Sequence, residues 1–268
     1  MSERSASLTV GHVYHREVDV MGTVVTIDLF GDELDPAKTA RCVDTAASTL
    51  READEMFSTW KQQSPLSRLR RGELTIADVP AEVLDVLEAC RTARRVSRRW
   101  FDPWSMPGGV DPTGLVKGWA AERALTPLRE LQLTGALINA AGDVASFGGP
   151  APDEPFRLGV VCPADSKQLA CVVASPGAVA TSGTYERGTH LVNPFTGVAV
   201  PTASATVTGP ELGLADALAT ALAVAGPAGL EFVKPLRGYE GLVIESSGRV
   251  AASDGFPIIE SFFHRGQS

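Results

Sequence analysis

The chain has 268 residues, 44% hydrophobic and 21% charged, enough for one large core or two closely packed subdomains. Its net charge of −8 excludes a surface built to attract nucleic-acid phosphates, because there is no basic field to do so. An anionic protein that handles an anionic substrate needs a local remedy, such as a bound cation.

In chain order, the opening stretch MSERSASLTVGHVYHREVDV is charged early, lacks an apolar run of signal-peptide length and has no Cys placed for lipid attachment. A strand is expected around VDVMGTVVTIDLFG, where Val20, Val24 and Thr26 to Leu29 are β-branched or apolar. A long helix follows from about Asp35, with Asp35 and Pro36 suited to its cap and first turn. Val43, Ala46, Ala47, Leu50, Ala53 and Phe57 recur at helical spacing and form its core face. A second amphipathic helix is expected from Pro80 to about Arg99, with Val83, Leu84, Leu87, Cys90 and Ala93 inward. Arg94, Arg95, Arg98 and Arg99 in its last turn read as favourable charge on a solvated face, with anion binding as the alternative.

The stretch WFDPWSMPGGVDPTGLVKG is crowded with Pro, Gly and aromatics and is expected to be loop. A helix restarts at Leu115 and breaks at Pro127. Beyond Gly135 the chain is strand-rich: ALINA, FRLGVVCP, QLACVVAS, GTHLVNP, SATVTG, YEGLVIES and GRVAAS, interrupted by one helix from Glu211 to Ala225. This order predicts an α+β fold. No stretch is expected to span a membrane; the most apolar, LADALATALAVAG, is short and carries Asp216. Cys42, Cys90, Cys162 and Cys171 form no CxxC pair and are expected as reduced, mostly buried thiols of a cytoplasmic protein.

Four clusters bear on chemistry. In VDPTGLVKGWAAE, Asp111 and Thr113 offer oxygens, Gly114 exposes backbone at a helix start, and Lys117 lies a turn further on. Phosphate approach and simple helix capping both explain it, and the spacing is not that of a Walker A loop. In ADALATAL, Asp216 and Thr220 lie four apart on one face of an alanine- and leucine-rich helix. Hard oxygens so placed suit magnesium, while an exposed polar stripe is the plain alternative. In AVATSGTYERGTHLVNPFTG, Thr181, Ser182 and Gly183 are expected to make a turn, with His190 in a following strand as either a general base or a structural residue. In INAAGDVASFGG, Asn139 to Asp143 end a strand in a small-residue turn, for its own sake or for close ligand approach.

Taken in order, these clusters resemble the ApbE-type flavin transferases, FAD:protein FMN transferases. The resemblance begins at Met21-Gly22-Thr23 and runs through FSTWKQQSPLSRL, FDP, VDPTGLVKGWAAE, LINAAGD and TSGTYERGTHLVNPFTG to the ADALATAL helix. It implies that Asp216 and Thr220 bind Mg²⁺ (or Mn²⁺), with the Gly114 carbonyl as a further ligand. It also implies FAD contacts at Asp111, Lys117, Thr181 and Ser182, and a flavin site lined by Met21 and Trp60, the latter replacing the more usual tyrosine. His190 matches the family's catalytic histidine. The expected reaction moves FMN from FAD to a Thr or Ser hydroxyl of a flavoprotein partner and releases AMP. An FAD pyrophosphatase and a non-catalytic FAD-binding protein are the alternatives.

The fold so implied is α+β, two interleaved mixed subdomains with antiparallel sheets, T-fold-like. The domain is expected over residues 16–260, after an N-terminal extension, 1–15, and before a tail, 261–268. Besides Trp60, the chain departs from the family pattern in two places. Only six residues, Trp104 to Gly109, separate Phe101-Asp102-Pro103 from Val110-Asp111, where members carry a much longer insertion, and Ala141 stands at the first glycine of a Gly-Gly-Asp turn.

Overall fold

In place of the single strand expected around Val18–Gly31, two strands run antiparallel. β1 (His12–Val20) pairs with β2 (Thr23–Phe30), and Val20 faces Thr23 across a two-residue turn. Met21 (φ 54°) and Gly22 (φ 70°) are both left-handed, as the tightest hairpin connection requires. The computed structural model describes residues 11–183, 193–197 and 204–263.

The next elements follow the sequence closely. Helix α1 (Pro36–Phe57) is capped by Asp35, whose carboxylate accepts from the backbone of Ala37 and Lys38, and it buries the expected Val43, Ala46, Ala47, Leu50, Ala53 and Phe57. A short helix α2 (Pro65–Arg70), capped by Ser64, had no counterpart in the sequence reading. Helix α3 (Ala81–Val96) turns Val86 inward, whereas Leu84, expected in the core, is 40% exposed. Helices α4 (Thr113–Leu125) and α5 (Leu212–Ala225) complete the main helical layer.

The strands form two antiparallel sheets. β1, β2, β3 (Gly135–Ala140), β4 (Asp143–Gly148), β7 (Ala178–Gly183), β8 (Ser204–Gly209), β9 (Glu240–Ile244) and β10 (Val250–Ala252) make the large one, in that order. β5 (Arg157–Cys162), β6 (Asp165–Ala174) and β11 (Ile258–Ser261) make the small one, in the order β11-β6-β5. The chain leaves the large sheet after β4 and returns at β7, so the two units are interleaved and the α+β class is found.

Period-two alternation assigns the faces. Val25, Ile27, Leu29, Ile138, Ala180, Ala205, Val207 and Val243 pack under the helices. Val179, Leu242 and Ile244 point the other way, onto Val160, Cys171 and Val173 of the small sheet. The segment Thr181–Gly183, expected as a turn, is therefore the end of central strand β7, paired with β8.

Helix α5 is buried on nearly every side. Continued through Gly226–Gly229, the run Leu212–Val233 has 22 residues and mean hydropathy 1.4, long and apolar enough by composition to cross a membrane, contrary to expectation. Its window is 67% buried inside the protein, as a core helix is. All four cysteines are free; Cys42, Cys90 and Cys171 are buried and Cys162 is partly exposed. Burial pushes the thiols of Cys90 up to about 12 and Cys171 up to about 11, which keeps them unreactive.

The β3–β4 turn repeats the tight geometry with Ala141 (φ 55°) and Gly142 (φ 96°), and the Asn139 side chain accepts from the Gly142 amide at 2.8 Å. Alanine in the left-handed region costs about 1–2 kcal/mol. Against the extra chain entropy of glycine, Ala141→Gly is expected to stabilise by about 0.5–1 kcal/mol, roughly 1–4 °C in Tm by thermal unfolding. A lower Tm would contradict the strain.

Candidate functional site

Two small residues set the distance between the helices that carry the site. A Cβ on Gly118 of α4 would lie 2.5 Å from the Leu212 carbonyl oxygen, and one on Gly213 of α5 would lie 3.3 Å from Trp119 Cβ. At the other end of the crossing, a Cβ on Gly114 would lie 3.4 Å from Thr220 Oγ1. The two helices thus run antiparallel at near backbone contact. Glu122, in the third turn of α4, accepts from the Gly213 amide at 3.5 Å and satisfies the start of α5, and burial raises its carboxyl above the ordinary range.

Asp111 precedes α4 and accepts from the Thr113 amide at 3.1 Å, a turn just ahead of the helix, whose cap position is Pro112 and carries no side-chain cap. Gly114 departs from helical geometry (ψ 16°) inside the first turn of α4, which is where its backbone faces Thr220. Asp216 stands one turn before Thr220 in α5. It is 4% exposed yet lines a cavity, which removes the exposed-stripe reading.

The facing wall is the end of β7. Ser182 Oγ lies 3.2 Å from Thr220 Oγ1, and Thr181 Oγ1 lies 2.9 Å from the buried Thr206 Oγ1 of β8. Asp143, 1% exposed at the start of β4, joins both walls. One carboxylate oxygen accepts from the Thr181 amide at 2.9 Å, and the other pairs with the Lys117 ammonium from α4. The first, third and fourth sequence clusters therefore meet through one carboxylate.

The mouth of the cleft is set by the loop after α1. The Ser58 carbonyl accepts from the hydroxyls of Ser64 (2.6 Å) and Ser67 (3.0 Å), and Ser58 Oγ accepts from the amides of Trp60 and Lys61. That scaffold holds Trp60 at the rim with 92% of its surface exposed, a large aromatic face available for stacking. Across the opening lies Met21, in its left-handed turn.

The short Trp104–Gly109 loop is ordered by a side chain that sequence reasoning missed. Arg70, at the end of α2, donates to the carbonyls of Pro107 (2.9 Å) and Gly108 (3.2 Å) and to Asp111 Oδ2 (3.2 Å). Gly109 (φ 104°) lets the loop lie against the Arg70 stem, where a Cβ would sit 3.6 Å away. The arginines at and just beyond the end of α3 are likewise not only a solvated face. Arg94 (2.9 Å) and Arg99 (3.5 Å) pair with Asp102, which is 7% exposed and holds the start of this loop.

Trp60, Asp111, Gly114, Lys117, Thr181, Ser182, Asp216 and Thr220 line one cavity of about 350 Å³. A second, of about 520 Å³, adjoins it and contains Met21, with Thr59, Trp60, Thr113 and Lys117 common to both. Together they have the size of a cofactor-scale cleft. His190 lies outside the described residues. Asp143 and Arg70 are the site residues that sequence spacing did not single out for this purpose.

The ApbE family matches the chain over residues 21–109 and 106–243. No curated protein matches it. Among solved structures, the ApbE protein of Thermotoga maritima is similar with a TM-score of 0.77 at 21% identity, over 90% of this chain and 97% of that one. The flavin transferase ApbE of Vibrio cholerae gives a TM-score of 0.76 at 20% identity, over 91% of this chain and 97% of that one. The apo form of the flavinyl transferase ApbE of Pseudomonas stutzeri gives 0.74 at 20% identity, over 93% and 98%.

Proposed function

From the premise that this chain belongs to the ApbE family, we propose that it is an FAD:protein FMN transferase, moving FMN from FAD onto a Thr or Ser hydroxyl of a flavoprotein partner and releasing AMP. The observation that carries this reading is the convergence of Gly114, Ser182, Asp216 and Thr220 on one stretch of cleft wall from three separate segments. The domain is taken to begin with β1 at His12, ahead of the expected residue 16, and to end with β11 at Ser261, and four free cysteines favour the cytoplasm.

The donor set fits a hard divalent cation. Around Asp216 the described lining offers carboxylate, hydroxyl and backbone oxygens and no thiol or imidazole, which suits Mg²⁺ or Mn²⁺ rather than zinc. Asp216, Thr220 and the Gly114 carbonyl would hold it. When bound, such an ion neutralises the FAD diphosphate and stabilises the departing AMP.

The protein's own groups do the rest. Trp60 and Met21 offer apolar surface to the flavin ring, and Asp111, Thr181 and Ser182 present polar groups to the rest of FAD. Lys117, held by Asp143, sets a cation beside the phosphates. His190 takes the proton of the acceptor hydroxyl as its oxygen bonds to the FMN-side phosphorus. The P–O bond to the AMP phosphate breaks, and AMP carries away the electron pair.

Incubation with FAD, Mg²⁺ and an acceptor segment bearing an Asp/Ser/Gly/Ala/Thr-type motif tests this directly. The expected products are AMP and an acceptor heavier by one FMN phosphoryl group. AMP with free FMN would make the enzyme a pyrophosphatase, and unchanged bound FAD would make it a binding protein.

Arg70 is expected to replace the missing insertion as the support of Asp111. Arg70→Met removes three hydrogen bonds from a charged donor, one of them to a carboxylate. At about 1.5–3 kcal/mol for such an interaction, KM for FAD should rise roughly ten- to a hundredfold with kcat changed much less. An unchanged KM would show that the loop orders itself without Arg70.

A further inference from the structure

A second cluster of metal-ligating side chains lies far from the cleft, on the hairpin at the edge of the large sheet. His15 faces Asp28 across the β1–β2 ladder, and His12 faces Phe30, two residues on. Three residues apart, His12 and His15 should point to opposite faces of a regular strand. The register shift between His12 and Tyr14 adds the extra residue that brings both rings to one face. Both then reach the same oxygen: His12 Nε2 lies 3.0 Å and His15 Nδ1 lies 2.7 Å from Asp28 Oδ1.

The surroundings hold this arrangement. Thr26 donates to the other carboxylate oxygen of Asp28 at 3.1 Å, fixing the orientation of the carboxylate. The His12 ring packs on Phe30 (centroids 5.1 Å apart), which in turn meets Phe156 edge-on at 5.0 Å. The His12 and Asp28 side chains are 13% and 18% exposed, while His15 is 45% exposed and leaves one side open to water.

The geometry points to a divalent transition-metal site, formed by His12, His15 and Asp28, that takes Zn²⁺ with a water at the open position. Two imidazole nitrogens and one carboxylate oxygen are a zinc-type donor set, unlike the oxygen donors of Asp216, Thr220 and the Gly114 carbonyl. The three atoms lie within 4.8 Å of one another, and a shift of roughly half an ångström would set them at zinc-ligand distances from a common ion. Asp28 is five residues along β2 from Thr23, the first residue after the Met21-Gly22 turn, about 17 Å of strand, so this site is separate from the cleft. Its effect is to clamp edge strand β1 onto β2.

The test uses the full chain, stripped with chelator and then kept in saturating Mg²⁺ so that the cleft is not the binding site measured. Titration with ZnCl₂ is expected to show one tight equivalent by calorimetry and a rise in Tm. His15→Ala, on a half-exposed edge position, and Asp28→Asn should each weaken that binding by about two orders of magnitude and remove the Tm rise. Circular dichroism on His15→Ala confirms that the fold is retained. Absence of a stoichiometric Zn²⁺ site, or the same affinity within threefold in both variants, would overturn the assignment.

Discussion

Asp216→Asn is expected to lower kcat/KM for AMP release from FAD about a thousandfold, roughly 4 kcal/mol of transition-state stabilisation, with Tm within a few degrees of the parent protein. Asparagine keeps the shape of a side chain that is only 4% exposed, so the change isolates the charge. A buried carboxylate in a helix of alanine and leucine is costly to fold around, and such a cost is borne where the charge is used. The accompanying change is in the Mg²⁺ titration, whose midpoint should move to much higher concentration. An unchanged titration would remove Asp216 from the metal set.

The second large effect concerns the helix crossing rather than the donors. Gly118→Ala places a methyl 2.5 Å from the Leu212 carbonyl oxygen and 3.0 Å from the Gly213 amide nitrogen, backbone atoms that cannot rotate away. The helices must part, at about 3 kcal/mol, which for a chain of this size is a Tm fall of roughly 6–12 °C. Separating α4 from α5 also parts Gly114 from Thr220, so activity should drop even below the melting range. A Tm within about 2 °C of the parent would show that the crossing tolerates the methyl and that close approach does not set the site.

Local chemistry made much of this legible in advance. Asp35 before Pro36 and the spacing of Val43, Ala46, Leu50 and Phe57 marked α1, and Asp216 with Thr220 marked one face of α5. Strand pairing was not legible, because β7 lies between β4 and β8, far apart in sequence. The same distance explains the reading of Thr181–Gly183 as a turn. Small polar residues favour turns locally, and only burial between two layers makes them strand. Leu84 and Val86 exchanged places for a related reason: both fit a helical stripe, and the neighbouring packing chose between them. The roles of Arg70 and Asp143 depend on contacts across 41 and 38 residues, to Asp111 and to Thr181, which no spacing rule reaches.

The two sites where the sequence was expected to depart from the ApbE pattern have local physical explanations. Arg70 grasps the short Trp104–Gly109 loop, and Ala141 sits in the β3–β4 turn at the expense of a left-handed backbone. Neither alters the helix crossing or the β7 wall that carry the donors.

A crystal grown with FAD and Mn²⁺, with data collected for the anomalous signal of manganese, tests the site most directly. The predicted result is one anomalous peak bonded to the Asp216 carboxylate, the Thr220 hydroxyl and the Gly114 carbonyl, and touching the cofactor's diphosphate. FAD seated in the cleft with no ion at those three oxygens, or an ion bound elsewhere along it, would contradict that prediction.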